Sequence, residues 1–155
     1  MASSVSVLDI DDLRRQHRRI MMRATHLRGL GDRIRTREDA LEARRAINGL
    51  DRMLIDHLQI EDEHLYPALM GCDIASVAAM AADCAEEMGG ILGAWTAYRE
   101  QWAAPMILAD PERFATATAG LIGALAMRIE RENTELYPAG DALAYPPVEG
   151  LYAAE

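Results

Sequence analysis

One stretch of this chain is written twice. HLQIEDEHLYPAL begins at His57 and RIERENTELYPAG at Arg128. At an offset of 71 residues, Glu61 aligns with Glu132, Leu65 with Leu136, Tyr66 with Tyr137 and Pro67 with Pro138. The same offset lays QHRRI, from Gln16, on EMGGI, from Glu87, so that His17 meets Met88 and His57 meets Arg128. In both halves 40 residues separate the two aligned positions. Equal spacing limits the folds open to the chain: each half is expected to be the same supersecondary unit, and the two copies to pack on each other. The halves differ in one chemical respect. The first has two histidines at positions where the second has none.

The unit reads as a pair of helices. Ile10, Leu13, Ile20, Met21, Ala24 and Leu27 recur at helical spacing, which predicts a first helix from Ile10 to Leu30, with Gly29 and Gly31 at its end. Thr36 with Asp39 three residues on resembles a capping box and starts a second helix, expected to close at Tyr66 before Pro67. An alanine-rich third helix begins at Asp73 or Ser76 and runs to Trp102, with Pro105 beyond it. Asp110-Pro111-Glu112 supplies an N-cap, a proline at the first helical position and an acid near the positive end of the dipole. The fourth helix is expected to reach Tyr137. No segment reads as a strand and the connections are short, so the fold class is all-α, an antiparallel up-down-up-down four-helix bundle. The bundle spans residues 1–140. A tail of 141–155, with Pro146-Pro147 and no helical period, follows.

Composition removes several function classes. Half of the 155 residues are apolar, which suits one domain with a substantial core. A net charge of −9 argues against a nucleic-acid partner, which needs a basic footprint. Arg14, Arg15, Arg18 and Arg19 read as a solvated helix face. No apolar run approaches the ~20 residues of a membrane span, and the first residues lack the pattern of a secretory signal. Cys72 and Cys84 are too few for a disulfide framework, so free thiols and a cytoplasmic location are expected. Homodimerisation through a helix face is compatible with the pattern, and no protein partner is indicated. There is no nucleophile motif and no phosphate loop, so no catalytic residue is assigned.

The chemistry lies on the faces that should be buried. At roughly 100° per residue, His57, Glu61 and His64 fall within about 60° of one another, in line with Leu50, Met53 and Leu54. Leu121, Leu125, Arg128, Glu132 and Glu135 form the matching stripe, and His17 shares its face with Leu13, Ile20 and Ala24. Ionisable groups in a core are costly unless paired or bound to metal. An imidazole and a carboxylate one helical turn apart can hold one cation. Any one of these residues is more commonly a hydrogen-bonded core group. The pattern gains weight from the matched His17, the aligned Glu132 and the repeated LYP ending.

On QHRRI, HLQIEDEHLYPAL and RIERENTELYPAG, the chain resembles the hemerythrin-like, HHE cation-binding proteins over roughly residues 9–140. In that family each half supplies a histidine, then a histidine and a carboxylate four residues apart, around two metals that are usually non-haem iron. Carried over, the resemblance makes His17 and His57 ligands and Glu61 and Glu132 the bridging carboxylates. The second metal would need histidines where Met88 and Arg128 stand. A thioether is a poor ligand for a hard iron centre, and a guanidinium has no lone pair to offer.

The expectation is therefore at most one metal ion, iron or zinc, on His17, His57, Glu61 and Glu132. Arg128 would replace the second metal electrostatically, unless it snorkels to the surface. Glu87 reads as a surface acid and His64 as a substitute ligand. Gly89 and Gly90 are expected to allow close helix packing. Through the resemblance, the role lies in iron, dioxygen or redox sensing or handling. The alternative is a metal-free interaction or regulatory bundle in which Arg128, His17, His57, Glu61 and Glu132 form a buried polar network.

Overall fold

The computed structural model describes residues 9–144, and among them every regular element is helical. Among the described residues, four rods are built from seven α-helices, and an eighth connects the last two rods. The first rod is α1, Ile10–Gly31. The second is α2, Arg37–Ile60, continued through a π-helical turn, Glu61–Leu65, into α3, Tyr66–Met70. The third is α4, Ala75–Met88, and α5, Ile91–Gln101. A short α6, Ala104–Ala109, leads to the fourth. This last rod is α7, Pro111–Arg131, a second π-helical turn, Glu132–Leu136, and α8, Tyr137–Ala144. Helix α1 packs on α2 and α7, and α5 packs on the same two, so each rod touches the two beside it. The arrangement is the expected all-α bundle.

Thr36 and Asp110 set the starts expected of them, Asp9 caps α1, and α4 begins at Ala75 behind Ile74, which makes no side-chain cap, instead of being capped by Asp73 or starting at Ser76. Asp9 accepts from the Asp12 amide, and Asp110 from the Arg113 amide ahead of Pro111. Thr36 and Asp39 form a reciprocal capping box. Each such cap contributes about 1 kcal/mol. Inside, the apolar stripes mesh. On α1 Leu13, Ile20, Ala24 and Leu27 are buried, on α2 Ile47, Leu50 and Leu54, and on α7 Phe114, Ile122 and Leu125. His17, His57 and Arg128 occupy slots of these same stripes, all buried. One end of the bundle is closed by aromatic packing of Trp95, Tyr98, Trp102 and Phe114. The polar cluster lies toward the other end, which Ile10, Leu65, Leu69 and Leu136 close with apolar contacts.

The rods depart from the sequence reading in ways that matter to the site. Pro67 and Pro138 do not end their helices. A proline lacks an N–H and its ring collides with the carbonyl four residues back. Here the chain widens by one residue just before it: the Tyr66 amide donates to the Glu61 carbonyl, and the Tyr137 amide to the Glu132 carbonyl, five residues back in each case. The two wide turns fall at the same place in the repeat. The fourth rod consequently reaches Ala144, beyond the end expected at Tyr137; the rest of the expected tail, 145–155, lies outside the described residues. The widening also leaves His64 and its repeat partner Glu135 exposed, off the inner stripe on which α-helical spacing placed them.

The third rod is broken, and Gly89-Gly90 mark the break rather than a close approach of two helices. A side chain at Gly89 would strike the Ala85 carbonyl, and Gly90 has open space around its Cα. Pro105 lies in the first turn of a short helix, α6, instead of in a plain connection. Among the described residues no helix is long and apolar enough to cross a membrane.

Candidate metal centre

His17 comes from α1, His57 from the last turn of α2, and Glu61 and Glu132 open the two π-helical turns. All four are buried, with 2 % or less of their surface exposed. One ligand atom from each lies within 4.8 Å of those from the other three. The four residues singled out in the sequence thus converge on one point.

Hydrogen bonds orient both imidazoles. His57 Nδ1 lies 2.7 Å from the Gln16 amide oxygen, and His17 Nδ1 lies 2.8 Å from the Asn133 amide oxygen. An amide oxygen accepts only, so each Nδ1 carries the proton. His57 Nε2 then presents a lone pair. It is 3.1 Å from Glu61 Oε1, yet among the described residues this buried atom has no hydrogen-bond partner. His17 Nε2 lies 3.0 Å from Glu132 Oε1 and 2.8 Å from the Tyr137 hydroxyl oxygen.

Arg128 is fully buried and faces inward; it does not snorkel. Its Nε donates to Glu132 Oε2 at 2.9 Å, Nη1 to the Met88 carbonyl at 3.2 Å, and Nη2 to Glu61 Oε1 at 3.3 Å and Asp62 Oδ1 at 2.8 Å. The guanidinium also stands 5.0 Å from the centre of the Tyr66 ring, within cation–π range. Met88 ends α4, and the break that follows leaves its carbonyl available to Arg128.

Two tyrosines close the far sides of the carboxylates. The Tyr137 hydroxyl donates to Glu61 Oε2 at 2.5 Å, and the Tyr66 hydroxyl to Glu132 Oε2 at 2.8 Å. In an α-helix Tyr66 would sit roughly 140° round from Glu61. The wide turn takes back about one residue's advance, ~100°, and returns the ring to the inner face. Sequence reading did not assign Tyr66, Tyr137, Asp62, Gln16 or Asn133. The repeated Tyr-Pro five residues after each glutamate was the visible signal for the first two.

Burial sets the electrostatics. It pushes His57 down to about 3, helped by the His17 charge, so this imidazole is neutral. Burial also opposes charge on His17, but the Glu132 hydrogen bond and the Glu61 and Glu132 charges outweigh it and raise the pKa. Burial raises Glu61, against the pull of Arg128, and raises Glu132 together with the Glu61 charge. Burial and the neighbouring carboxylates hold both tyrosines far above their ordinary value, so they remain hydrogen-bond donors.

His64 is exposed and takes no part in this cluster. Glu87 is also exposed and accepts from Arg131. Cys72 and Cys84 are unpaired thiols.

A helical bundle with two imidazoles and two carboxylates meeting in its core is the architecture of a cation-binding bundle protein. The hemerythrin HHE cation binding domain matches residues 8–139 of the chain. The chain belongs to that family, whose members bind metal. No curated protein and no solved structure matches it.

Proposed function

We propose that this protein holds a single divalent cation on His17, His57, Glu61 and Glu132, and that Arg128 takes the place of a second. The observation that carries this is His57 Nε2, a buried nitrogen with an unshared lone pair facing a carboxylate oxygen 3.1 Å away. Two electron-rich atoms aimed at one point suit a shared cation. Charge favours the same reading. With His17 neutral, as a ligand must be, Glu61, Asp62 and Glu132 face the one fixed positive charge of Arg128, which leaves two negative charges, and a divalent ion neutralises two. The donor set of imidazole nitrogen and carboxylate oxygen suits iron or zinc.

Arg128 occupies the position that the repeat pairs with His57, and Met88 turns its backbone carbonyl toward it. Neither side chain is a ligand for a second hard cation. Within the site, Gln16 and Asn133 hold the ring tautomers and Arg128 pulls against the rise that burial gives both carboxylates. Bound iron would supply one-electron redox chemistry, which supports a role in iron, dioxygen or redox sensing or handling.

A second reading has one observation in its favour. His17 Nε2 already meets Glu132 and Tyr137, so a metal-free polar network serving a regulatory bundle accounts for that half of the site. Metal analysis of tag-free protein after anaerobic ferrous or zinc loading separates the two. One equivalent that disappears in His57→Ala supports the cation site. Protein that stays metal-free, with unfolding unchanged by chelator, supports the network.

A further inference from the structure

The repeated LYP motif is not used by the ligand set, yet its tyrosines touch both carboxylates. We infer that Tyr66 and Tyr137 are positioning residues that divide each glutamate into one held oxygen and one presented oxygen. The inference rests on the single-cation reading and adds how the ligands are offered.

The geometry repeats in both halves. Tyr137 holds Glu61 Oε2, and Glu61 Oε1 faces His57 Nε2 at 3.1 Å. Tyr66 and Arg128 Nε hold Glu132 Oε2, and Glu132 Oε1 faces His17 Nε2 at 3.0 Å. Among the described residues, the one further charged contact on a presented oxygen is Arg128 Nη2 to Glu61 Oε1, the longest of that side chain's hydrogen bonds at 3.3 Å. A carboxylate left to itself can close on a cation through both oxygens. A phenol on the outer oxygen prevents this and fixes the plane of the group.

The backbone is shaped for the same end. Pro67 and Pro138 follow the tyrosines directly, and the wide turns before them bring both rings to the inner face. Each tyrosine reaches the glutamate of the opposite half, so the clamp is reciprocal. Tyr137 also stacks on His17, with ring centres 4.9 Å apart.

The test uses divalent cobalt, whose visible bands weaken as its coordination number rises. Cobalt is loaded into the parent protein and into Tyr137→Phe, Tyr66→Phe and Tyr98→Phe. Tyr98 is an internal control, because its hydroxyl meets Thr118 in the aromatic end and nothing at the site. Removing Tyr137 frees Glu61 Oε2 to join its partner on the cation, and removing Tyr66 leaves Glu132 Oε2 held by Arg128 Nε alone. Tyr137→Phe and Tyr66→Phe should each lose more than half of the visible intensity and bind cobalt about 10–100-fold more weakly. Tyr98→Phe should keep the parent spectrum. Parent-like cobalt spectra in both site variants overturn the inference, as does an equal loss in Tyr98→Phe. Either site variant suffices if the other does not fold. Failure of the parent to bind cobalt overturns the single-cation reading, and this inference with it.

Discussion

Replacing Arg128 with methionine keeps an unbranched apolar stem and removes the charge and all the hydrogen bonds of the guanidinium. Three of the lost bonds go to carboxylates, and bonds to charged groups contribute roughly 1.5–3 kcal/mol each. The cost of burying a guanidinium offsets much of that sum. The net loss should be the usual one for removing one partner of a buried ion pair, about 3–5 kcal/mol. At ~2–4 °C per kcal/mol for a chain of this length, the midpoint should fall by roughly 6–20 °C.

The loss should also depend on pH. Burial already holds Glu61 and Glu132 above their ordinary 4.5, and without Arg128 they rise further. A carboxyl with a raised native pKa keeps its proton after the unfolded chain has released its own. Its contribution to stability is therefore full below about 4.5 and is lost as pH rises through the native value. The deficit of the variant should be small near pH 4.5 and large at pH 7.5. Urea unfolding followed by circular dichroism, with chelator present, measures both. A metal-free R128M within ~1 kcal/mol of the parent at pH 7.5, or a deficit that does not change with pH, would refute Arg128 as the resident counter-charge.

Further outcomes follow from the same geometry. Met88→His with Arg128→His restores the pattern of the first half in the second, and metal analysis should rise from one equivalent to two; a stoichiometry that stays at one contradicts the symmetry argument. Cation binding needs the His17 Nε2 lone pair, and the apo pKa of that ring is raised, so affinity should climb as pH rises through that value and level off above it. Chelator competition between pH 6 and 8 reads this, and a flat profile contradicts it. Gly89→Ala drives a methyl group into the Ala85 carbonyl and should cost about 1–3 kcal/mol in urea unfolding, whereas Gly90→Ala, in open space, should be close to neutral.

Much of the fold and all four candidate ligands were legible because apolar spacing and cap residues act locally. His17, His57, Glu61 and Glu132 stood in core slots of helical stripes, and the stripes do face inward. Arg128 could be placed because the repeat pairs it with His57. The two wide turns could not be read. Helical spacing assumes 3.6 residues per turn, and proline reads as a stop. Here two prolines are accommodated by local widening, which removed His64 and Glu135 from the inner face and brought Tyr66 and Tyr137 onto it. Gln16 and Asn133 were hidden for another reason. Each is a polar residue beside the stripe, and only the crossing of helices decides which ring it meets.

The tyrosine clamps bear on the order in which this chain can fold. The contacts that build the centre join residues far apart: Tyr66 to Glu132 spans 66 positions, Arg128 to Glu61 spans 67, and Tyr137 to Glu61 spans 76. Each hairpin can form from local contacts, but each tyrosine holds the carboxylate of the other half. Loop closure over such distances comes late, after the apolar faces have docked. The centre is therefore a product of the finished bundle and cannot nucleate it. A chain cut between Met70 and Ala75 retains all its ligands yet completes the clamps only when the two halves find each other again. Cation capture by mixed fragments would then report the docking of the halves.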